Sequence, residues 1–287
     1  MKTKLIDYVD NGPIFITGHV NPDGDALGSA FALKLFLDSQ NIISDVDFDI
    51  TTKLPSNLNH LPYHLISDDL KEKYNTVFVF DCGNSSRLGK YEEVVLAAEN
   101  IVVIDHHVDP SFGDVQIIDP HAASTTQVLF RQFKDENIEI NEEMANCLLT
   151  GLITDTGRFQ YSNTTSEVFS IAAELLGNGA NLSKISENIY GSIEFNALTL
   201  QSKIIERIVL NEDLQFAHSI VFQNDYKDYK VEPEETDFLI DVVRLVKEST
   251  VALLIKEQED GSFKGSLRSR GDIDVQKIAS IFGGGGH

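Results

Sequence analysis

Short apolar runs alternate with helical patterns along the first two thirds of the chain. The segments 14–17, 76–80 and 101–104 are nearly continuous apolar runs of strand length, which is typical of strands buried on both faces. A further strand is predicted at 42–50. Helical spacing of apolar residues occurs at 25–40, 122–137, 142–156, 166–178 and 182–190. This alternation predicts an α/β fold whose N-terminal part is a mostly parallel β-sheet flanked by helices.

The last third of the chain has a different pattern. An unbroken helical pattern at 195–210 precedes predicted strands at 214–222, 251–256 and 263–268, with helices at 233–247 and 275–282. These elements predict a smaller C-terminal α+β domain. We therefore divide the chain into an N-terminal domain at 1–190, a linker helix at 191–212 and a second domain at 213–287.

Composition and charge narrow the functional classes. The 287 residues carry a formal net charge of −22, with 45 acidic against 23 basic side chains. A protein that binds long duplex nucleic acid needs a broad basic surface, so a phosphate-bearing substrate should be small. The first residues lack the apolar stretch of a signal peptide, and the sequence has no apolar run of membrane-spanning length. Cys82 and Cys147 are too few for a disulfide framework. We expect a cytoplasmic protein without a membrane partner.

Histidines and aspartates follow three of the predicted strands. His19, Asp23 and Asp25 come after the first strand, Asp81 ends the second, and Asp105-His106-His107 follows the third. In open parallel sheets, ligands bind outside the carboxyl ends of the strands, so these side chains should converge. Taken alone, Asp25 is also compatible with a helix N-cap, and Asp81 with a turn.

Asp155 is predicted near the C-terminal end of the helix at 142–156. Negative charge there opposes the helix dipole, and the residue lies on the same face as Leu148 and Leu152. An acid in this position needs a compensating partner, which a metal ion would supply. The alternative is that the helix ends early before Gly157 and leaves Asp155 in a loop.

Six ligands, mostly carboxylates, exceed the needs of one compact ion. They suit two metals that share a bridging aspartate, for which Asp81 is our candidate. Imidazole and carboxylate together suit manganese, iron, zinc or magnesium. The six residues are His19, Asp23, Asp25, Asp81, His106 and Asp155.

Four motifs in order resemble those of the DHH phosphoesterase superfamily. They are His-Val-Asn-Pro-Asp-Gly-Asp-Ala-Leu-Gly-Ser at 19–29, Asp-Cys-Gly at 81–83, Asp-His-His at 105–107 and Thr-Asp-Thr-Gly at 154–157. Ser-Leu-Arg-Ser-Arg-Gly at 266–271 and the glycine run ending at His287 resemble the DHH-associated domain. Within the superfamily, the chain is most similar to bacterial oligoribonucleases that also act as pAp phosphatases (nanoRNases).

The resemblance implies a role for each motif residue. One manganese ion would take His19, Asp23 and Asp81, and the other Asp25, Asp81, His106 and Asp155. His107 would meet the scissile phosphate or the attacking water, and Asp105 would orient a histidine. Arg87 would face a substrate phosphate. In the second domain the implied substrate-binding residues are Arg268, Gly284, Gly285, Gly286 and His287. Arg158 and Arg270 are nearby candidates for the same role, or ordinary surface charges.

The activity implied is manganese-dependent hydrolysis of very short RNA, pAp or linear dinucleotides. The alternatives within the superfamily are a manganese-dependent inorganic pyrophosphatase and a cyclic-dinucleotide phosphodiesterase. A non-catalytic nucleotide sensor on the same scaffold would tolerate loss of the metal ligands, all of which are present. A homodimer is compatible with the sequence. Family members continue beyond the glycine-rich motif, so we expect this sequence to be truncated after His287.

Overall fold

The computed structural model divides the chain into two compact units, Met1–Gly191 and Ser192–His287. It describes residues 4–9, 12–51, 53–108, 111–191, 193–271, 273–282 and 284. Within these ranges no helix combines the length and the apolar character that crossing a membrane requires.

The first unit is built on a five-stranded sheet that is parallel throughout. Its order is β2-β1-β3-β4-β5, with β1 paired to both β2 and β3. The strands are β1 Ile14–Gly18, β2 Ser44–Val46, β3 Thr76–Phe80, β4 Asn100–Asp105 and β5 Val115–Ile118. The predicted fold class is confirmed. The short edge strand β5 was not predicted, because its residues are only partly buried and lack a clear apolar run.

Helices cover the sheet, and both of its faces are buried. The helices are α1 Gly24–Ser39, α2 Glu92–Leu96, α3 Thr125–Asp135, α4 Glu142–Asp155, α5 Ser166–Gly177 and α6 Leu182–Ser186. A π-helical turn, Glu187–Gly191, closes the unit, and short 3₁₀ turns lie at Leu5–Tyr8, Ser56–Leu58, Tyr63–Leu65 and Ser85–Tyr91. The larger core joins the helices to Ile14, Ile16 and Phe78. A second cluster on the opposite face contains Phe15 and Val77.

Polar side chains start the main helices of this unit. Asp23 caps α1 by accepting hydrogen bonds from the amides of Asp25 and Ala26. Ser124, Asn141 and Thr165 cap α3, α4 and α5 in the same way. Each cap satisfies amides that a helix leaves without a partner at its first turn, and so fixes the residue at which the helix begins. Because Asp23 is the cap of α1, the N-cap alternative for Asp25 is wrong.

Glycines form the contact between helices α1 and α4. A Cβ atom added to Gly28 would lie 2.4 Å from the carbonyl oxygen of Cys147 on α4. A Cβ atom added to Gly151 on α4 would lie 2.6 Å from Oδ1 of Asp25 on α1. The glycines therefore allow α4 to approach the first turn of α1, where Asp25 lies.

The second unit has a mixed four-stranded sheet in the order β6-β7-β8-β9. Its strands are β6 Val209–Asn211, β7 Phe216–Val221, β8 Val251–Glu257 and β9 Phe263–Ser269. Its helices are α7 Phe195–Glu206, α8 Gln223–Tyr229, α9 Leu239–Arg244 and α10 Val275–Ile281, with a 3₁₀ turn at Pro233–Thr236. The β7–β8 pair is parallel, and the two outer pairs are antiparallel. The predicted smaller α+β domain is confirmed as a fold.

Several element bounds in this unit differ from the predictions. The helix predicted at 195–210 ends at Glu206, and Val209–Asn211 forms a strand instead. The helix predicted at 233–247 is a 3₁₀ turn followed by the shorter α9. Helix α8 was not predicted. It begins where Asp225, which is buried, accepts hydrogen bonds from the Phe222 amide and the Arg207 guanidinium.

We expect Gly28→Ala to destabilise the first unit. The added methyl group would overlap the Cys147 carbonyl, which belongs to the α4 backbone and cannot rotate away. The overpacking should lower the free energy of unfolding by about 1–3 kcal/mol in denaturant titrations. Gly177→Ala is the matched control, because nothing lies within 4 Å of its Cβ position. That control should leave stability unchanged or raise it by up to about 1 kcal/mol. Equal effects of the two changes would contradict the close α1–α4 contact.

Candidate active site

The carboxyl edge of the first sheet brings the predicted histidines and aspartates together. His19, Asp23 and Asp81 form one group, and Asp25, His106 and Asp155 form another. In each group the potential ligand atoms all lie within 4.8 Å of one another. Asp81 also groups with Asp105, His106 and His107. The three strand ends thus deliver their side chains to a single cluster.

Asp81 lies at the centre of this cluster. Its two carboxylate oxygens face different histidines: Oδ2 is 3.5 Å from His19 Nε2, and Oδ1 is 3.7 Å from His106 Nε2. The residue follows β3 with a φ of 54°, a left-handed conformation that is uncommon outside glycine and is enriched in aspartate. Its carboxylate is therefore placed between the two groups of potential ligands.

Asp25 is held by the N-terminus of α3, an interaction that the sequence analysis missed. Its Oδ2 accepts a hydrogen bond from the Thr125 amide at 2.5 Å, and its Oδ1 accepts one from the Thr126 amide at 2.9 Å. The Thr125 hydroxyl also lies 3.3 Å from Asp81 Oδ1. These amides carry the positive end of the α3 dipole and offset part of the negative charge of the cluster. The polar run Ser124-Thr125-Thr126 before a helix was the only available signal in the sequence.

Asp155 is the last residue of α4, so the alternative that the helix ends early is wrong. Its Oδ2 lies 3.3 Å from His106 Nε2 and is buried. Within the described part of the chain, no group hydrogen-bonds to this oxygen. A buried carboxylate oxygen without a hydrogen bond is costly, and a cation is the partner that would offset this cost.

The pKa values show how strongly these carboxylates repel one another. Burial and the charge of Asp81 raise the pKa of Asp25 to about 7. Burial and the charge of Asp25 raise the pKa of Asp155 well above its usual range. Burial disfavours charge on Asp81 too, yet His107 and His19 hold its pKa well below the ordinary value. Burial opposes charge on His19, but Asp23 and Asp81 raise the pKa of that ring to about 10. The negative charge of the cluster therefore favours the binding of positive charge. In the protein without metal ions, protons bound to histidine and aspartate supply it.

The donor set fits divalent metal ions. It combines imidazole nitrogens with carboxylate oxygens, which manganese, iron, zinc and magnesium all accept. His19 Nδ1 lies 2.9 Å from the Val20 carbonyl oxygen, and His106 Nδ1 lies 3.3 Å from that of Ala122. These contacts orient both rings with Nε2 toward the carboxylates, as metal-binding histidines require. Divalent ions would replace the protons that the cluster now holds.

His107 is oriented by Asp105. Its Nδ1 lies 2.7 Å from Asp105 Oδ1, and that same oxygen accepts hydrogen bonds from the amides of His106 and His107. Burial opposes charge on His107, but Asp105 and Asp81 raise its pKa to about 9. The nitrogen turned away from Asp105 is Nε2, which carries an N–H group when the ring is protonated.

The predicted substrate-binding residues occupy different positions. Arg87 is exposed on the 3₁₀ turn Ser85–Tyr91, and its carbonyl oxygen accepts a hydrogen bond from the Val20 amide beside His19. Arg268 is exposed on β9 in the second unit, where its guanidinium donates to the Leu267 carbonyl. The Gly284 amide donates to Ala279 at the end of α10. Gly285, Gly286 and His287 lie outside the described residues.

Arg270, the other candidate in the second unit, is engaged with backbone. Its guanidinium donates to the carbonyl oxygens of Arg244, Val246 and Lys247, at and beyond the end of α9. These contacts satisfy acceptors that a helix leaves without a partner at its C-terminus. The second unit therefore uses Arg270 to fix its own backbone.

Comparison with known proteins identifies the family. Residues 13–152 match the DHH family, N-terminal domain, and residues 213–287 match the DHHA1 domain. The bifunctional oligoribonuclease and PAP phosphatase NrnA of Thermus thermophilus is 33% identical over 285 residues, which cover 96% of this chain and 82% of that protein. The chain belongs to the DHH family. The resemblance drawn from the four motifs is confirmed, and this DHH protein is a hydrolase that acts on phosphoester bonds.

Two further relatives span nearly the whole DHH chain. The NrnA of Bacillus subtilis is 26% identical over 294 residues, which cover 100% of this chain and 91% of that protein. Among solved structures, an exopolyphosphatase-related protein from Bacteroides fragilis aligns with a TM-score of 0.91 at 26% identity, covering 98% of this chain and 87% of that one. The similarity therefore includes both units of this DHH protein.

We expect divalent manganese to raise the melting temperature of chelator-treated protein, and Asp155→Asn to reduce that rise. The raised pKa of Asp155 means that ionisation of its carboxyl group at neutral pH lowers the free energy of unfolding. Without metal, the neutral amide of asparagine should therefore raise the stability of the protein. At a free manganese concentration of about 100 times the dissociation constant, binding should raise the free energy of unfolding of the wild type by about 2.7 kcal/mol.

Asp119→Asn is the control for this measurement. Asp119 is a partly exposed carboxylate that pairs with Arg131 outside the cluster. Its loss should lower stability slightly and leave the manganese-induced shift intact. A full manganese shift in Asp155→Asn would show that Asp155 is not a ligand.

Proposed function

We propose that this protein hydrolyses very short RNA and small nucleotides such as pAp with two divalent metal ions, most simply manganese. The observation that carries the proposal is the position of Asp81 between two groups of potential ligands. His19, Asp23 and Asp81 would hold one ion, and Asp25, Asp81, His106 and Asp155 the other. Bound there, the ions would polarise the phosphate oxygens and make a water molecule acidic enough to attack at neutral pH.

The protein's own groups position and protonate the substrate in this proposal. Asp105 fixes the ring of His107, so that Nε2–H can donate a hydrogen bond to a phosphate oxygen or to the departing oxygen. The hydrogen bond between Nδ1 and Asp105 favours the protonated form of the ring, which carries this N–H group. The two α3 amides that donate to Asp25 do not titrate. The Asp25 carboxylate therefore keeps its position when other groups in the site gain or lose charge.

The nucleotide substrate is supported by similarity and by charge. Two of the relatives that span this chain are named oligoribonuclease and PAP phosphatase. The net charge of −22 disfavours long nucleic acids, whose binding needs many phosphate contacts. Arg268 and the glycine-rich end of the chain are the further substrate-binding residues in this proposal. We therefore favour nucleotides and very short RNA over long polymers.

A substrate panel tests this proposal. Purified protein with manganese is incubated with an RNA dinucleotide, a 24-mer RNA, pAp, cyclic di-AMP and pyrophosphate. We expect turnover of the dinucleotide or pAp to exceed that of the 24-mer, and a chelator to abolish it. Preference for pyrophosphate or for cyclic di-AMP would replace the proposal with the corresponding alternative. Turnover that persists with the chelator would exclude the metal mechanism.

His107→Gln should reduce kcat by about 10²-fold or more, because general acid catalysis contributes about 10²- to 10⁴-fold. The manganese-induced shift in melting temperature should persist, since the proposed ligands remain. His64→Gln is the matched control, because His64 is an exposed histidine on the 3₁₀ turn Tyr63–Leu65. An unchanged kcat in the His107 variant would remove this residue from the mechanism.

A further inference from the structure

The arginines of the first unit differ in their partners. Before residue 191 the sequence contains Arg87, Arg131 and Arg158. Arg131 is fully paired: it donates to both carboxylate oxygens of Glu167, at 2.7 and 2.6 Å, and to Asp119. Arg158 forms no salt bridge with any carboxylate in the described ranges. Its guanidinium instead lies over the ring of Tyr190, 3.7 Å from the ring centre.

Arg158 lies on a strained turn directly after Asp155. Gly157, Arg158 and Phe159 have φ angles of 53°, 63° and 63°, three consecutive left-handed residues of which only the first is glycine. Left-handed backbone is unfavourable for arginine, and glycine or asparagine would adopt it more readily. Strain of this kind persists only where the surrounding structure enforces it, and it clusters at functional sites.

The turn is tied to the metal-binding cluster. The side-chain amide of Asn163 donates to the Asp155 carbonyl at 3.0 Å and to the Ala123 carbonyl at 3.2 Å. The neighbouring Ala122 carbonyl lies beside His106 Nδ1. The Arg158 amide donates to Ile153 at 3.0 Å, which holds the turn on the end of α4. These hydrogen bonds hold the backbone of Arg158 on the turn that follows Asp155.

Aromatic rings support the same turn from several sides. The hydroxyl of Tyr190 donates to the Ile153 carbonyl at 3.4 Å, and its ring packs against the core of the first unit. The Tyr161 ring covers Gly157 so closely that an added Cβ atom would lie 2.2 Å from it. The Phe159 ring lies 5.4 Å from that of Phe169. Arg158 thus rests on a ring whose own position is fixed.

We propose that Arg158 binds a phosphate of the substrate and that Tyr190 holds its guanidinium in the orientation that this requires. A guanidinium stacked on an aromatic face keeps its N–H donors in one plane, and a phosphate can accept two of them. In a protein with a net charge of −22, a local cation besides the proposed metal ions would favour the approach of an anionic substrate to a carboxylate-rich site. Arg158 supplies that cation three residues after Asp155. This inference rests on the proposed phosphoesterase site and assigns one of its specificity residues.

Kinetics of Arg158→Gln and Arg158→Lys test the inference. We expect Arg158→Gln to raise KM for pAp and for an RNA dinucleotide by about 10- to 100-fold, the usual effect of losing a hydrogen-bonded charge. Arg158→Lys should recover only part of this loss, because lysine keeps the charge but not the planar pair of donors. The inhibition constant of inorganic phosphate should rise in parallel. Arg131→Gln is the matched control and should leave KM and phosphate inhibition unchanged.

Two further variants separate phosphate binding from a structural role. Arg158→Gly removes the guanidinium together with the unfavourable left-handed arginine, so it should lose substrate affinity while the melting temperature stays close to that of the wild type. Tyr190→Phe keeps the ring and should keep KM, whereas Tyr190→Leu should raise KM several-fold. A lower melting temperature in Arg158→Gln with unchanged KM and unchanged phosphate inhibition would overturn the inference.

Direct binding of inorganic phosphate to manganese-loaded protein keeps this test independent of the nucleotide substrate. Calorimetric titration should show phosphate binding that weakens in Arg158→Gln and not in Arg131→Gln. If the wild type hydrolyses none of the nucleotides but still shows this difference, the proposed function fails and the role of Arg158 stands. If the wild type hydrolyses nucleotides and both variants bind phosphate equally well, the role of Arg158 fails alone.

Discussion

Electrostatic repulsion among buried carboxylates is the constraint on which the first unit depends. Asp25, Asp81 and Asp155 occupy one small volume at the carboxyl edge of the sheet, where burial and the charge of neighbouring carboxylates raise the pKa values of Asp25 and Asp155. Such a cluster is stable only where cations or fixed dipoles offset its charge. Histidine protons, α3 amides and, in our proposal, divalent metal ions have this role.

The surrounding fold keeps the cluster compact. Parallel strands bring Asp81 and the segment 105–107 to one edge, while the glycine contact lets α4 carry Asp155 against the first turn of α1. The α3 N-terminus then binds Asp25 through two backbone amides. Backbone groups and close helix packing hold the candidate ligand residues more rigidly than exposed loops would, which is the rigidity that a metal site would need.

The acidic site must also attract an anion. Two arginines lie on turns that the backbone connects to residues of the cluster: the Arg87 carbonyl oxygen accepts a hydrogen bond from the Val20 amide next to His19, and Arg158 lies on the turn that follows Asp155. Arg131, by contrast, donates hydrogen bonds to the carboxylates of Asp119 and Glu167, and its pair with Glu167 joins α3 to α5. In our proposal, the partners of each arginine distinguish the substrate contacts from the structural ones.

The sequence by itself determined the fold class, the family and the residues that meet at the strand ends. Buried parallel strands leave continuous apolar runs, and the residue that follows such a run is placed by the sheet, so His19, Asp81 and the segment 105–107 could be assigned from order alone. Tertiary structure decided the rest. The hydrogen bond between Asp25 and the Thr125 amide joins residues that are 100 positions apart in the sequence. The stacking of Arg158 on Tyr190 joins the turn after α4 to the π-helical turn after α6. Neither leaves a periodic pattern in the sequence, because periodicity records the environment of one element and not which elements meet.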